Sequence, residues 1–226
     1  MDGVLHVSGA PIAGAASAIK RLRDNGHRIR FVTNSTTKSR GQLGEQLREM
    51  GIAVEDEEIQ TTGAVASRVL AGKRVLALTM PGMLDDLEGL QLVGMNVDAV
   101  LLGGADEGEE TGRIFSYLNL NRAFHELDAG ADLYCLHKNK WWQTADGPRL
   151  DAGAFVAGLE YAADIEATVL GFPSTVASVS AAYSSPATKA PVSRRGPSLV
   201  CHHLFLWRQK RSAPASSSWK ARFRFR

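Results

Sequence analysis

The chain has 226 residues, 44% of them hydrophobic and 22% charged, a composition that supports a packed globular domain and excludes disorder throughout. Its formal net charge of +2 conceals two regimes: residues 1–164 hold 16 basic and 23 acidic side chains, residues 165–226 hold 10 and 1. No run reaches the roughly 18 apolar residues of a membrane span, no leader pattern opens the chain, and the two cysteines, Cys135 and Cys201, form neither a disulfide framework nor a CxxC pair, so the expectation is a soluble cytoplasmic protein with Cys135 in its core.

In chain order, 4–7 reads as a strand broken by Ser8-Gly9. From Ile12 an amphipathic helix follows, with Ile12, Ala15, Ala16, Ile19 and Leu22 on one face and a stop at Gly26. Residues 28–34 form the next strand. Ser39 to Gln42 fits a capping box, and Leu43, Leu47 and Met50 give the buried stripe of the helix that ends before Gly51. Thr61-Thr62 caps a helix to 71; strands at 74–79 and 98–102 flank a loop with Pro81 and Gly82. A helix over 115–127, a strand at 132–137, a turn at Asp146-Gly147, a helix over 151–163 and a strand at 167–170 complete the pattern. This alternation predicts an α/β fold with a Rossmann-like, doubly wound parallel sheet. The last 55 residues, rich in Ser, Ala, Pro and Arg and without any acidic side chain, show no sustained period, so the sheet is expected to be incomplete.

In open α/β sheets ligands gather outside the carboxyl ends of strands. Asp2-Gly3 and Thr33-Asn34-Ser35 fall at such positions. A hydroxyl, an amide and free N–H groups ahead of a helix N-terminus make a phosphate cradle, although the same residues also suit an ordinary loop leading into a helix. His137-Lys138 follows a strand and could pair with phosphate or carboxylate, or form a solvated turn. Trp141-Trp142 reads as edge packing more than ligand stacking, and Glu107, Glu109 and Glu110 as a solvated connection. Cys201-His202-His203 lacks a fourth ligand at zinc spacing. The tail, with Arg208, Lys210, Arg211, Lys220, Arg222, Arg224 and Arg226 among Trp207, Trp219, Phe223 and Phe225, is compatible with nucleic acid or anionic lipid. An out-of-frame or alternative C-terminus gives the same bias and is the preferred reading, so no nucleic-acid partner is expected.

Met1-Asp2-Gly3-Val4-Leu5, Pro11-Ile12 with Gly14-Ala15, Gly26-His27, and Phe31-Val32-Thr33-Asn34-Ser35, in that order, resemble the haloacid dehalogenase-like hydrolase superfamily. The likeness is to the subfamily IIA proteins, the nitrophenylphosphatase-like and phospholysine/phosphohistidine-phosphatase-like group with a large α/β cap inserted after the second core motif. It runs through His137-Lys138-Asn139 and Asp146-Gly147 to Leu170-Gly171-Phe172-Pro173. The resemblance implies a first core part over 1–63, a cap over 64–149, a second core part over 150–174 and a divergent basic tail over 175–226.

It also implies phosphoryl transfer through an aspartyl-phosphate, with Mg²⁺ holding the phosphate of a small phosphomonoester. Asp2 matches the second Asp of the Asp-x-Asp-Gly motif, the general acid/base and a metal-site residue; the nucleophile's place falls one residue before Met1. Thr33 matches the second motif, and with Asn34 and Ser35 supplies donors to the phosphoryl oxygens, while His137 and Lys138 are the cap-side substrate residues. The third motif, Gly-Lys-Pro, stands here as Gly171-Phe172-Pro173, and no Asp follows Asp164 to supply the metal-binding pair of the fourth. Weak or absent turnover is expected, with impaired Mg²⁺ binding. The alternatives are a non-catalytic form that binds a phospho-ligand or pairs as a homodimer through the cap, and a chain whose reading frame or splice junction departs from the family near Phe172.

Overall fold

The computed structural model describes residues 1, 4–7, 9–144 and 146–171. Asp2, Phe172, the Cys201-His202-His203 cluster and the basic tail lie outside the described residues.

The first part of the chain builds a small core of its own. Of the strand expected over 4–7, only β1 (His6–Val7) is paired, and it pairs antiparallel with β2 (Ala10–Pro11) because the chain doubles back at Gly9, whose φ is +83°. Helix α1 (Ala15–Asp24) begins after Gly14, three residues later than its apolar spacing suggests, since Gly14 sits in the left-handed region. β3 (Phe31–Val32) is shorter than the expected 28–34, and α2 (Arg40–Glu49) carries the capping box as read, Ser39 and Gln42 bonding reciprocally. Both helices stop at a left-handed glycine: His27 N–H reaches Leu22 O at 3.0 Å past Gly26, and Ile52 N–H reaches Leu47 O at 3.0 Å past Gly51. β4 (Ile59–Gln60) pairs parallel with β3, Phe31 opposite Ile59, and Leu5, Ile19, Phe31, Leu43, Leu47 and Ile52 close the core around them.

The second part is a three-layer α/β unit. After α3 (Thr62–Val69) come β5 (Arg74–Leu78), a 3-10 helix over Pro81–Leu87, β6 (Gln91–Leu92) and β7 (Ala99–Leu102). Then follow α4 (Glu109–Ile114), α5 (Tyr117–Asp128), β8 (Asp132–Cys135), the antiparallel pair β9 (Trp141–Thr144) and β10 (Gly147–Leu150), α6 (Ala152–Ala163) and β11 (Thr168–Val169). The sheet is wholly parallel, in the order β11-β8-β7-β5-β6. All four residues of β7 are buried because both sheet faces are covered. Ala99 and Leu101 meet α3 and the 3-10 helix through Val65, Ala66, Met83 and Leu87, while Val100 and Leu102 meet α5 and α6 through Ala123, Leu127, Val156 and Leu159. The buried side chains of 152–170 join these two clusters, not the one around β3 and β4.

Three local readings change. The Pro81-Gly82 loop is a 3-10 helix, with Pro at its first position. Glu109 and Glu110, read as a solvated loop, open α4 and pair with Arg113 one turn on. The helix expected over 115–127 starts instead at Tyr117, because the Ser116 hydroxyl accepts from Asn119 N–H and caps it there. Cys135 lies in the core as expected, and burial pushes its thiol up to about 12, so it stays protonated at neutral pH. Among the described residues, no helix is long and apolar enough to cross a membrane.

Candidate functional site

β3 delivers the chain into the segment 33–39, which is fastened at several points. Thr33 N–H donates to the Gln60 carbonyl at 3.1 Å, prolonging the β3–β4 ladder by one bond. Ser35 N–H then turns back to the Thr33 hydroxyl at 3.1 Å, and the Thr62 hydroxyl donates to Ser35 O at 3.3 Å. Thr33 and Ser35 are half-buried and Asn34 is exposed. At the far end the Asp86 carboxylate accepts from Arg40 N–H at 2.9 Å and from the hydroxyl of Thr61, the cap of α3. One buried carboxylate thus faces the start of two helices, where their dipoles favour negative charge.

The other wall is the carboxyl edge of the five-stranded sheet. Thr36 is buried, and its Oγ1 lies 3.2 Å from Nε2 of His137, which follows β8. Asn139 N–H donates to His137 Nδ1 at 3.4 Å, which assigns the imidazole proton to Nε2. Asp151, the cap of α6, accepts from Ala152 N–H at 2.7 Å and Ala105 N–H at 3.4 Å and stands 3.8 Å from His137 Nε2. Lys138 turns away: its ammonium pairs with Glu160 at 2.6 Å. The structure therefore brings His137 to the 33–36 segment through Thr36 and holds Lys138 against α6. Gly171 adjoins the segment too, since a Cβ there would lie 3.4 Å from Asn34 Oδ1 and 2.2 Å from the Leu136 carbonyl. A shallow crease runs between Thr33, Gln60, Thr61, Thr62, Leu170 and Gly171. A larger open hollow beside α2, which includes Lys38, Gln42 and Gln46, shares no residue with it.

Burial pushes the His137 imidazole below its ordinary 6.5, an effect that the Asp151 carboxylate only partly opposes. The unfolded chain then takes up this proton before the folded one does, so folding stability falls as pH drops through 6.5 toward the lowered folded value. Urea midpoints measured between pH 7.5 and 5 are expected to decline, and His137→Gln to flatten that decline; an identical slope in the variant would contradict the assignment.

Among the described residues no group of three or more His, Cys, Asp or Glu could hold a metal ion, and Asp2 lies outside them. The described residues therefore do not by themselves make a magnesium site. Sequence reasoning singled out Thr33, Asn34, Ser35 and His137 as candidates, but not Thr36, Thr62, Asp86, Gly104 or Asp151, which the structure places around them. For Asp151 the signal was an Asp directly before a helix, and for Gly104 a Gly-Gly pair directly after a strand.

A family model described as haloacid dehalogenase-like hydrolase matches residues 1–93. Human haloacid dehalogenase-like hydrolase domain-containing protein 2 is 39% identical over 175 residues, covering 76% of this chain and 64% of that protein. Over about three quarters of its length the chain is related to the haloacid dehalogenase-like hydrolase superfamily. Within the superfamily, the phospholysine phosphohistidine inorganic pyrophosphate phosphatase of Xenopus laevis is 34% identical over 183 residues, 77% of this chain and 65% of that one. The chain thus spans just under two thirds of these relatives. The superfamily fold is shared with the 4-nitrophenylphosphatase of Thermotoga maritima, at a TM-score of 0.69 and 23% identity over 82% of this chain and 72% of that one. It is shared also with the glycerol phosphate phosphatase of Mycobacterium tuberculosis in complex with magnesium, at 0.66 and 24% over 81% and 56%.

Proposed function

We propose that the chain holds the phosphoryl group of a small phosphomonoester on Thr33, Asn34 and Ser35, with hydrolysis weak or absent. The observation that carries this reading is the fastened 33–35 turn, whose hydroxyls and amides are set by the Ser35–Thr33 and Thr62–Ser35 bonds ahead of α2. Weak turnover is supported by the sequence Gly171-Phe172-Pro173. A phenyl ring stands where the superfamily motif places the lysine that balances transition-state charge, and one such stabilising group is worth roughly 10²- to 10³-fold. In this reading Asp2 is the acid/base and metal-side carboxylate, and Mg²⁺ is the ion that relatives' chemistry would bring to it. The 64–149 region, extended by α6 and β11, is the cap, with His137 on the side that meets the 33–36 segment, whereas Lys138, the other cap residue expected to meet substrate, is engaged by Glu160. Pairing of two copies through that region belongs to the same proposal, supported by Tyr117 and Leu118, which α5 leaves exposed.

Thermal unfolding with inorganic phosphate, alongside release of p-nitrophenol from p-nitrophenyl phosphate with Mg²⁺, tests the reading. The midpoint is expected to rise with phosphate concentration, and Thr33→Val to abolish the rise, while product release stays at background. A midpoint indifferent to phosphate would overturn the binding claim. Robust metal-dependent release would overturn the claim of weak turnover.

A further inference from the structure

The five-stranded sheet has a switch point. From β5 the chain crosses outward to β6, and β7 returns on the other side of β5 to continue outward through β8 and β11, so the connections diverge between β5 and β7. In doubly wound sheets the crevice outside the carboxyl ends of those two strands is where a ligand is held. Here the residues at those ends are Thr79, Gly103 and Gly104, with His137 at the end of β8.

That crevice is filled by the chain's own Thr36. A Cβ at Gly104 would lie 1.8 Å from Thr36 Oγ1 and 3.2 Å from His137 Nε2, so Gly104 clears the space that Thr36 occupies, while one at Gly103 would lie 2.9 Å from Thr79 Cα and Cβ, so Gly103 admits Thr79 beside it. A second approach lies beside it, where a Cβ at Gly82 would fall 2.2 Å from the Thr37 carbonyl. Thr36, Thr79 and His137 are all nine-tenths or more buried.

We infer that the sheet takes Thr36 as an internal ligand, and that Thr36 with His137 forms a latch that positions the 33–35 turn for phosphate. The inference rests on the reading of that turn as the phosphoryl site. The charged groups around the latch leave it to the imidazole: from α6 the Asp151 carboxylate stands near Nε2, Lys138 is engaged by Glu160, Asp86 by Arg40 N–H and Thr61, and Lys38 by Gln46. Neither latch residue needs to touch the phosphate. Each fixes the backbone between Thr33 and Ser39 in one conformer, and a turn that visits others binds more weakly in proportion to the lost population.

The test compares the full chain with Thr36→Val, Thr36→Ser, His137→Gln and Thr33→Val. The two readouts are affinity for inorganic phosphate and amide hydrogen exchange over 33–38. Thr36→Val and His137→Gln are expected to weaken phosphate binding roughly five- to tenfold, the scale of one net hydrogen bond, and to speed exchange over 33–38 without changing β5 or β7. Thr36→Ser keeps the hydroxyl and restores both readouts. Wild-type affinity in both Thr36→Val and His137→Gln, with Thr33→Val still abolishing binding, would overturn the latch and leave the phosphoryl site standing. A wild-type chain that binds no phosphate would overturn the phosphoryl site, and with it the latch's part in binding; unaltered exchange over 33–38 in Thr36→Val would overturn the latch itself. Should Thr36→Val fail to fold, His137→Gln carries both comparisons.

Discussion

Leu102→Ala is expected to lower the unfolding free energy by about 3–4 kcal/mol, through lost transfer free energy and an unfilled cavity. Leu102 ends the central strand β7, is fully buried, and packs on its face of the sheet within the cluster of Leu78, Phe115, Ala123, Leu127 and Val156. Around it the stacked Phe115 and Phe155 rings, 4.3 Å apart, leave little freedom for neighbours to close in. Urea unfolding followed by circular dichroism measures the loss. Tyr161→Ala on the exposed side of α6 is the control, expected within about 0.5 kcal/mol of wild type. A loss under about 1 kcal/mol at Leu102 would mean that α5 and α6 do not cover the sheet as described.

Asp86→Ala is expected to cost about 3 kcal/mol, because it strands a buried hydroxyl donor and a part-buried N–H at once. The carboxylate accepts Arg40 N–H at the start of α2 and the Thr61 hydroxyl at the start of α3, so it joins the first core to the 3-10 helix of the second. Asp86→Asn keeps one oxygen acceptor and should cost less. If the three groups act as one unit, Thr61→Val combined with Asp86→Ala will cost well under the sum of the two single changes. Strict additivity between Thr61 and Asp86 in urea unfolding would show that the bond carries no coupling.

These two sites differ in how far the sequence announced them. Leu102 stands in an unbroken apolar run, Ala99 to Leu102, and such a run reads as a strand buried on both faces. The α2 capping box and the glycine stops at Gly26 and Gly51 were legible for the same reason, since each is written within a few adjacent residues. Asp86 carried no such mark. Its partners lie 46 and 25 residues away, and Thr36 meets His137 across 101 residues, distances at which no periodicity speaks. The phosphate-like turn was visible as Thr33-Asn34-Ser35 after a strand, whereas the residues that fasten it, Thr62, Thr36 and Asp86, became apparent only once the sheet order was known. Even β1 was misjudged in length, because two residues pairing with their own continuation leave no alternating pattern to read.

We propose that the turn at 33–35, held against the switch point of the sheet, takes a phosphoryl group. Titration of the isotopically labelled full chain with inorganic phosphate, followed by backbone amide shifts, reads that binding residue by residue. The predicted result is a saturable set of shifts at Asn34, Ser35 and Thr36, lost in Thr33→Val. Shifts confined to Lys38, Gln42 and Gln46 beside the other hollow, or none that saturate, would contradict it.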